Sequence, residues 1–423
     1  MDVAHYAGRA EAFDRDDPLK WLPNHFCHPP DQLYFDGNSL GLMSHEARDA
    51  VLAALDEWAA KAVLAWTDTR PAWFTWAEDV SNGLGALLGA RPGEIALGAS
   101  TTVMLHQLLA TLYHPFGVRR KILLDESAFP TDRYVVQSFL RQRGLDPVRD
   151  LVIVPTSARR TLDEDALWRQ ADATVAAAVL PSVIFTTGEA LTLGTLNQRL
   201  TDSGIAVIWD LSHSAGLMPH QLHDEIDAAV FCTYKYLNGG PGSPGGAFVN
   251  ERLFPLDPGL AGWWGSRNDR QFHMPPVFEG AADTHALQLG TPSILSLAAL
   301  AGSVGLLNQA GIDALFQRSQ WLTAFLEEIL SREMLPYGAQ VVTPPVGRRG
   351  GHIALAHPKA AAVCQALRAY GVAPDFRRPD IIRLAPAPST SRAIDCVRAA
   401  EILDRVFRDE LWRPFEGERT LVT

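Results

Sequence analysis

The segment IWDLSHSAGLMPHQLHDEIDAAVFCTYKYLNGGPGSPGGAFVN (208–250) holds three residues whose types and spacing could do chemistry. Asp210 closes an apolar run, and the carboxyl end of a strand is where open parallel sheets meet ligands. His213 lies three residues further on. Lys235 follows Tyr234 and precedes LNGGPGSPGG, a run of glycines that lets backbone approach another group closely. The lysine is informative because only five of the 37 basic residues are Lys (Lys20, Lys61, Lys121, Lys235 and Lys359). Arg cannot stand in where a deprotonated amine must act as nucleophile or base. A strand-end carboxylate followed 25 residues later by a lysine in a Gly-rich turn suits pyridoxal phosphate. The lysine would form a Schiff base with the aldehyde, and the carboxylate would pair with the ring nitrogen and keep the ring an electron sink. The bland reading of the same residues is a helix cap and a solvated charge.

Two further segments offer supporting groups. GASTT (98–102) opens a predicted helix, Thr101 to Leu112, with small hydroxyl residues and free N–H groups of the kind that bind phosphate; an ordinary capped helix reads the same way. DESAFPTD (125–132) offers an aromatic face in Phe129 and a carboxylate in Asp132, although Phe129 also reads as core. HFCH (25–28) and His220/His223 lack three or four ligands at metal-site spacing, so no metal is expected. Cys364 sits inside the apolar helix pattern AAAVCQALRAYG and reads as inert core rather than an accessible nucleophile.

The elements that must position these residues are legible as an α/β pattern. Short apolar runs alternate with polar helical segments: KILLD (121–125), LVIVP (151–155), AAVLPSVIFTT (177–187), IAVIWD (205–210) and AAVFCTYKY (228–236). Such runs, buried on both faces and separated by helices, predict a mostly parallel sheet, with GGAFVN (245–250) at the same sheet. Upstream, Ser44 is a plausible N-cap for a helix to Leu64, with Val51, Leu52, Leu55, Trp58, Ala59 and Ala62 at helical spacing. Beyond residue 292 a long helix, a strand at HIALAHP, a helix at 360–371 and a strand at IIRLAP predict a smaller α+β domain.

Composition narrows the class. With 423 residues, 47% apolar and 20% charged, the chain is globular and can bury its core without metal or disulfide staples. A formal net charge of −11 gives no basic field for nucleic acid or anionic lipid. Four scattered cysteines, an N-terminus without a signal-peptide pattern and the lack of an apolar run of about 20 residues predict a soluble, cytoplasmic protein.

The motifs together resemble the kynureninase family, within the class V group of the aspartate-aminotransferase-like fold. The resemblance runs from YFDGNSLG (34–41) through LGARPGEIALGASTTVMLH, FPTD, WDLSHSAG, YKYLNGGPG, AGWWG (261–265) and LGTPSIL (289–295) to APDFRRPDIIRLAPAP (373–388), nearly the whole chain. It implies a pyridoxal-phosphate-dependent fold type I enzyme in three parts. Residues 1–45 would pack on the small domain, 46–300 would form the large cofactor-binding domain, and 301–423 the small C-terminal domain. It also implies a role for each matched position. Lys235 would hold the cofactor covalently, Asp210 its ring nitrogen, and His213 the phenolic-oxygen side. Thr101 and Thr102 would bind the phosphate with help from Tyr234, Phe129 would stack on the ring with Asp132 nearby, and Thr186 would supply another hydroxyl. Trp263 and Thr291 would reach the phosphate of a neighbouring subunit, making a homodimer with shared active sites. Arg383 would clamp the α-carboxylate of an amino-acid substrate, and Trp66 would select between kynurenine and its 3-hydroxy form.

The implied reaction is hydrolytic cleavage of the Cβ–Cγ bond of L-kynurenine to anthranilate and L-alanine, or of 3-hydroxykynurenine to 3-hydroxyanthranilate and L-alanine. Lys235 would move the proton from Cα, with Tyr234 as acid/base relay. The family's settings are tryptophan catabolism, the kynurenine pathway and NAD biosynthesis. One departure stands out: the arginine strand continues as APAPSTSR (385–392), without the Tyr the family usually carries there. Two other readings are a relative acting on a modified kynurenine in a specialised pathway, and a non-catalytic fold relative.

Overall fold

The computed structural model describes residues 1–158 and 160–417, so the last six residues of the expected C-terminal domain lie outside the described residues. The first strand, β1 (Leu33–Tyr34), is short. Seven strands then build one large sheet: β2 (Ile95–Leu97), β3 (Lys121–Asp125), β4 (Leu151–Val154), β5 (Val175–Pro181), β6 (Ala206–Asp210), β7 (Ala228–Phe231) and β8 (Gly246–Val249), in the order β2-β8-β7-β6-β5-β3-β4. The five central and distal strands run parallel, and β8 runs antiparallel to both β7 and β2.

Both faces of this sheet are covered, and the sequence accounts for it. Along β5 to β7 alternate residues go to opposite sides. Ala178, Leu180, Val207, Trp209, Ala229 and Phe231 join one apolar cluster, while Ala177, Val179, Ile208, Ala228 and Val230 join another. With period-two side chains apolar on both sides, only a sheet sandwiched between helices satisfies the run. The helix Thr101–Leu112, capped by Ser100 Oγ on Val103 N–H at 3.3 Å, covers the second face.

The helix His45–Lys61 begins as expected, with Ser44 Oγ accepting from Ala47 N–H at 3.0 Å. Its apolar stripe is turned outward: Leu52 is 45% and Trp58 58% exposed, and Leu55 is exposed with them. Helix Ile294–Ala310 runs through position 300, and its buried residues as far as Ala310 join the core beside the large sheet.

A second sheet, β9 (Gln340–Val341), β10 (Ile353–Ala356), β12 (Asp375–Arg377) and β13 (Ile381–Leu384), is antiparallel in the order β12-β13-β10-β9. Between them β11 (Val372–Ala373) pairs with β1. Helices Ile312–Glu333, Ala360–Ala369 and Ala393–Arg408 pack on this sheet around a separate core, and the N-terminal helix Val3–Asp16 lies against Ala393–Arg408. Cys364 is buried in that core, as the helix pattern predicts. No single helix among the described residues is long and apolar enough to cross a membrane.

Candidate active site

The parallel strands bring their carboxyl ends to one edge, with Pro181 and Asp210 register partners across β5 and β6. There a cavity of about 180 Å³ opens. Its walls include Thr101 and Thr102 from the start of their helix, Phe129 and Asp132 from the start of the helix Pro130–Gln142, Asp210 from the end of β6 with His213 just beyond it, and Tyr234 and Lys235 after β7. Eight of the residues singled out by sequence therefore meet in one place, although they span more than 130 positions of the chain.

Lys235 Nζ lies 3.1 Å from His213 Nε2 and 5.7 Å from the centre of the Phe129 ring. Phe129 in turn meets Phe185 edge to face at 5.3 Å. Asp210 Oδ1 accepts from Ser212 N–H at 2.8 Å, which fixes the carboxylate at the strand end. Asp132 is buried beside it. Burial, then the neighbouring Asp210, then Asp125, push its carboxyl well above the usual carboxylate range, while Lys235 pulls the other way. A second carboxylate this close disfavours ionisation of Asp132. Burial and the cations Lys235 and Arg383 hold His213 well below the usual imidazole range, so its ring is neutral. Burial also raises the Tyr234 hydroxyl, which faces Cys232.

These groups fit pyridoxal phosphate. A Cβ on Gly245 would stand 2.4 Å from Thr101 N, so the glycine leaves the helix N-terminus its close backbone cradle. N–H groups in the first turn of a helix have no acceptor within it and favour an anion. The amine, the strand-end carboxylates and the Phe129 face are the remaining groups such a ring requires.

Five of the expected site residues do not line the cavity. Thr186 is not among the lining residues, whereas its neighbour Phe185 is. Trp66 packs against Trp73 at 5.9 Å and Trp264 at 5.4 Å, in an aromatic cluster beside the large core. Trp263 is 47% exposed, with Phe272 exposed next to it. Thr291 lines a second recess that shares Ala99 and Gly242 with the main cavity. Arg383 is fully buried behind the wall and paired with the Asp375 carboxylate. It donates to the Phe185 carbonyl at 2.6 Å and Ser39 Oγ at 3.2 Å, and Asn38 accepts from it at 3.3 Å once its amide oxygen is turned inward.

Sequence reasoning missed Ser100, Ser127, Thr131, Ser212, Ser243 and Phe185 in the cavity wall. Ser212 and Ser243 were within reach, being inside the motifs DLSH and GGPGSP. Phe185 carried no signal beyond its place in an apolar run. The APAPSTSR departure is structural: the Pro388 carbonyl accepts from buried Arg318, and Ser389 Oγ donates to Asn238 Oδ1 at 3.4 Å.

Comparison with known proteins follows the same lines. A family model described as the kynureninase C-terminal domain matches residues 315–403. A kynureninase of Bacillus anthracis is 39% identical over 411 residues, covering 97% of this chain and 96% of that one. A kynureninase of Geobacillus thermodenitrificans is 39% identical over 415 residues, covering 98% and 97%. Among solved structures, a mutant of C-DES with Gly covalently linked to its PLP cofactor superposes with a TM-score of 0.77 at 17% identity, covering 90% of this chain and 98% of that one. That likeness establishes the fold type I architecture, and the near full-length identity to the two relatives places this chain in the kynureninase family.

Proposed function

We propose that the protein hydrolyses the Cβ–Cγ bond of L-kynurenine, giving anthranilate and L-alanine, with pyridoxal phosphate as cofactor. The observation that carries this reading is the convergence of Lys235, His213, Asp210, Asp132 and Phe129 on one cavity in a chain 39% identical to named kynureninases. Pyridoxal phosphate, when bound, supplies a covalent anchor for an amino group and an electron sink for charge developing on the substrate carbons.

The chain's residues do the rest. First-turn N–H groups at Thr101 and Thr102 would hold the cofactor's phosphate, Phe129 would cover its ring, and Asp210 with Asp132 would hold the ring nitrogen. Lys235 Nζ carries the proton removed from Cα. His213 Nε2, 3.1 Å away, keeps that amine directed into the cavity. Tyr234 stays protonated in its buried position and donates to oxygen as water adds to the side-chain ketone. Arg383 receives the substrate carboxylate through its planar fork, in exchange for contacts now made to Asp375 and the Phe185 carbonyl.

The reading includes a homodimer in which Trp263 and Thr291 of each copy complete the phosphate site of the other. The outward apolar stripe of Leu52, Leu55 and Trp58 and the exposed Trp263 and Phe272 support it. It also includes a cytoplasmic location, supported by four free cysteines, and a large unit that extends to Ala310 so that the helix Ile294–Ala310 stays whole.

The test is incubation of cofactor-loaded protein with L-kynurenine, read as anthranilate fluorescence. Wild type should release product, and Lys235→Ala should release none and lose the visible absorbance of the lysine-bound cofactor. A variant that keeps both would overturn the lysine's role, and a loaded wild type that leaves kynurenine intact would overturn the substrate.

A further inference from the structure

Behind the cavity a second imidazole stands in an unusual position. His352 is 0% exposed, and neither of its ring nitrogens has a hydrogen-bond partner among the described residues. Its ring meets that of His213 edge on, with centres 6.0 Å apart, and His213 Nδ1 is likewise buried and unpartnered. Buried polar groups left unpaired in a folded protein are rare and call for a physical account.

The chain goes to some length to bring His352 there. Residues 345–352 leave the second sheet and strap onto the turn after β5. Ala190 N–H donates to Arg348 O at 3.0 Å, Gly350 N–H to Gly188 O at 2.9 Å, and the Arg348 guanidinium pairs with buried Glu189 at 3.0 Å. Arg349, fully buried, pairs with Glu327. At Gly188, with φ +79°, a Cβ would stand 3.3 Å from His352 Nε2 and 3.0 Å from its carbonyl oxygen. A side chain there would be strained and would crowd the ring.

With their centres 6.0 Å apart the two rings are too far apart to bond directly, so any link between their nitrogens needs a bridging molecule. With Lys235 Nζ as the donor of their 3.1 Å contact, the neutral His213 ring carries its proton on Nδ1. A water accepting from Nδ1–H and donating to a His352 lone pair would satisfy His213 Nδ1 and one of the two His352 nitrogens. We propose that His352 is a positioning residue that, through one bridging water, locks His213 with its Nε2 lone pair facing Lys235. His352 thereby sets how readily Lys235 gives up and takes back its proton. The inference rests on the function proposed above only through the cofactor bound to Lys235.

The charged and titratable groups facing His213 are Lys235, Arg383, His352 and Arg377. Those facing His352 are Arg383, Arg377 and Lys235. All three partners outside the pair, together with burial, favour neutral rings, so the pair acts through its hydrogen bonds and not through its charge.

The experiment compares wild type, His352→Ala and His352→Gln as cofactor-loaded enzymes, first by visible absorbance against pH and then by kcat and KM for L-kynurenine. His352→Ala should move the absorbance midpoint by about one pH unit. It should also lower kcat about tenfold with KM little changed, as loss of an outer orienting partner does. His352→Gln, which can still hold a water, should recover most of both effects. A His352→Ala enzyme with wild-type midpoint and kcat overturns the proposal, and so does a Gln variant as impaired as Ala, since packing alone would then be at work. If the alanine variant fails to fold, His352→Leu fills the space without hydrogen-bonding groups and is judged by the same outcomes. The titration needs no kynurenine, so a protein that binds the cofactor but leaves kynurenine intact fails the function and not this test.

Discussion

Asp125 ends β3 fully buried, and neither carboxylate oxygen has a well-formed hydrogen bond among the described residues; burial pushes the group up to about 7, with the nearby Ser127 N–H only partly offsetting it. In the unfolded chain this carboxyl ionises near its ordinary 3.8, so between that pH and 7 the unfolded state releases a proton that the folded state keeps. The cost to the fold therefore grows as pH rises from 4 to 7 and is constant above. Asp125→Asn should raise unfolding free energy by about 2–4 kcal/mol at pH 8 and leave it nearly unchanged at pH 4, as read by denaturant titration. Arg383 poses the opposite case, a buried cation whose fork is fully used. Arg383→Lys keeps the charge but loses the planar geometry, and should raise KM for L-kynurenine by about tenfold or more with a smaller change in kcat; unchanged steady-state kinetics would refute the carboxylate role. At this scale the sequence was most informative where residue type is chemically irreplaceable. Lys235 and Asp210 follow from amine and carboxylate chemistry, whereas Phe185 offers only a ring face and His352 a buried imidazole far along the chain, and neither residue type alone points to a site.

At the scale of elements, periodicity predicted the existence of helices and strands better than what they face. The run from Ser44 has its cap and its helix, but Leu52, Leu55 and Trp58 point away from the chain's own core. A hydrophobic stripe says that a face is buried and not which surface buries it. Phe185 lines the cavity and its neighbour Thr186 does not, a distinction that periodicity alone does not make. The outward stripe leads to a prediction: Trp58→Glu combined with Leu52→Glu should convert a dimer to monomer in sedimentation or light scattering, with loss of bound cofactor. A double variant that remains dimeric would remove this face from the interface. The large sheet itself was legible because its strands are apolar on both faces, which leaves few alternatives to a helix-covered parallel sheet.

For the molecule as a whole, three buried histidines tie the fold to pH. His213 and His352 lie well below the usual imidazole range, and burial lowers His220, bonded to Ser214 Oγ at 2.9 Å, to about 4. Their folded-state pKa values are depressed, so the unfolded chain binds protons that the folded one excludes. The stability at stake is present above pH 6.5 and is lost as pH falls from there toward 4. His220 alone accounts for about 3 kcal/mol of that loss. Thermal unfolding should therefore fall steeply between pH 6.5 and 4, and His220→Asn should flatten the decline; an equally steep profile in the variant would assign it elsewhere. The product balance of kynurenine hydrolysis is the most direct test of cleavage between Cβ and Cγ. One water and one L-kynurenine should yield one L-alanine for every anthranilate when loaded protein is assayed by chromatography. Consumption of kynurenine without equimolar alanine would contradict hydrolytic cleavage between Cβ and Cγ.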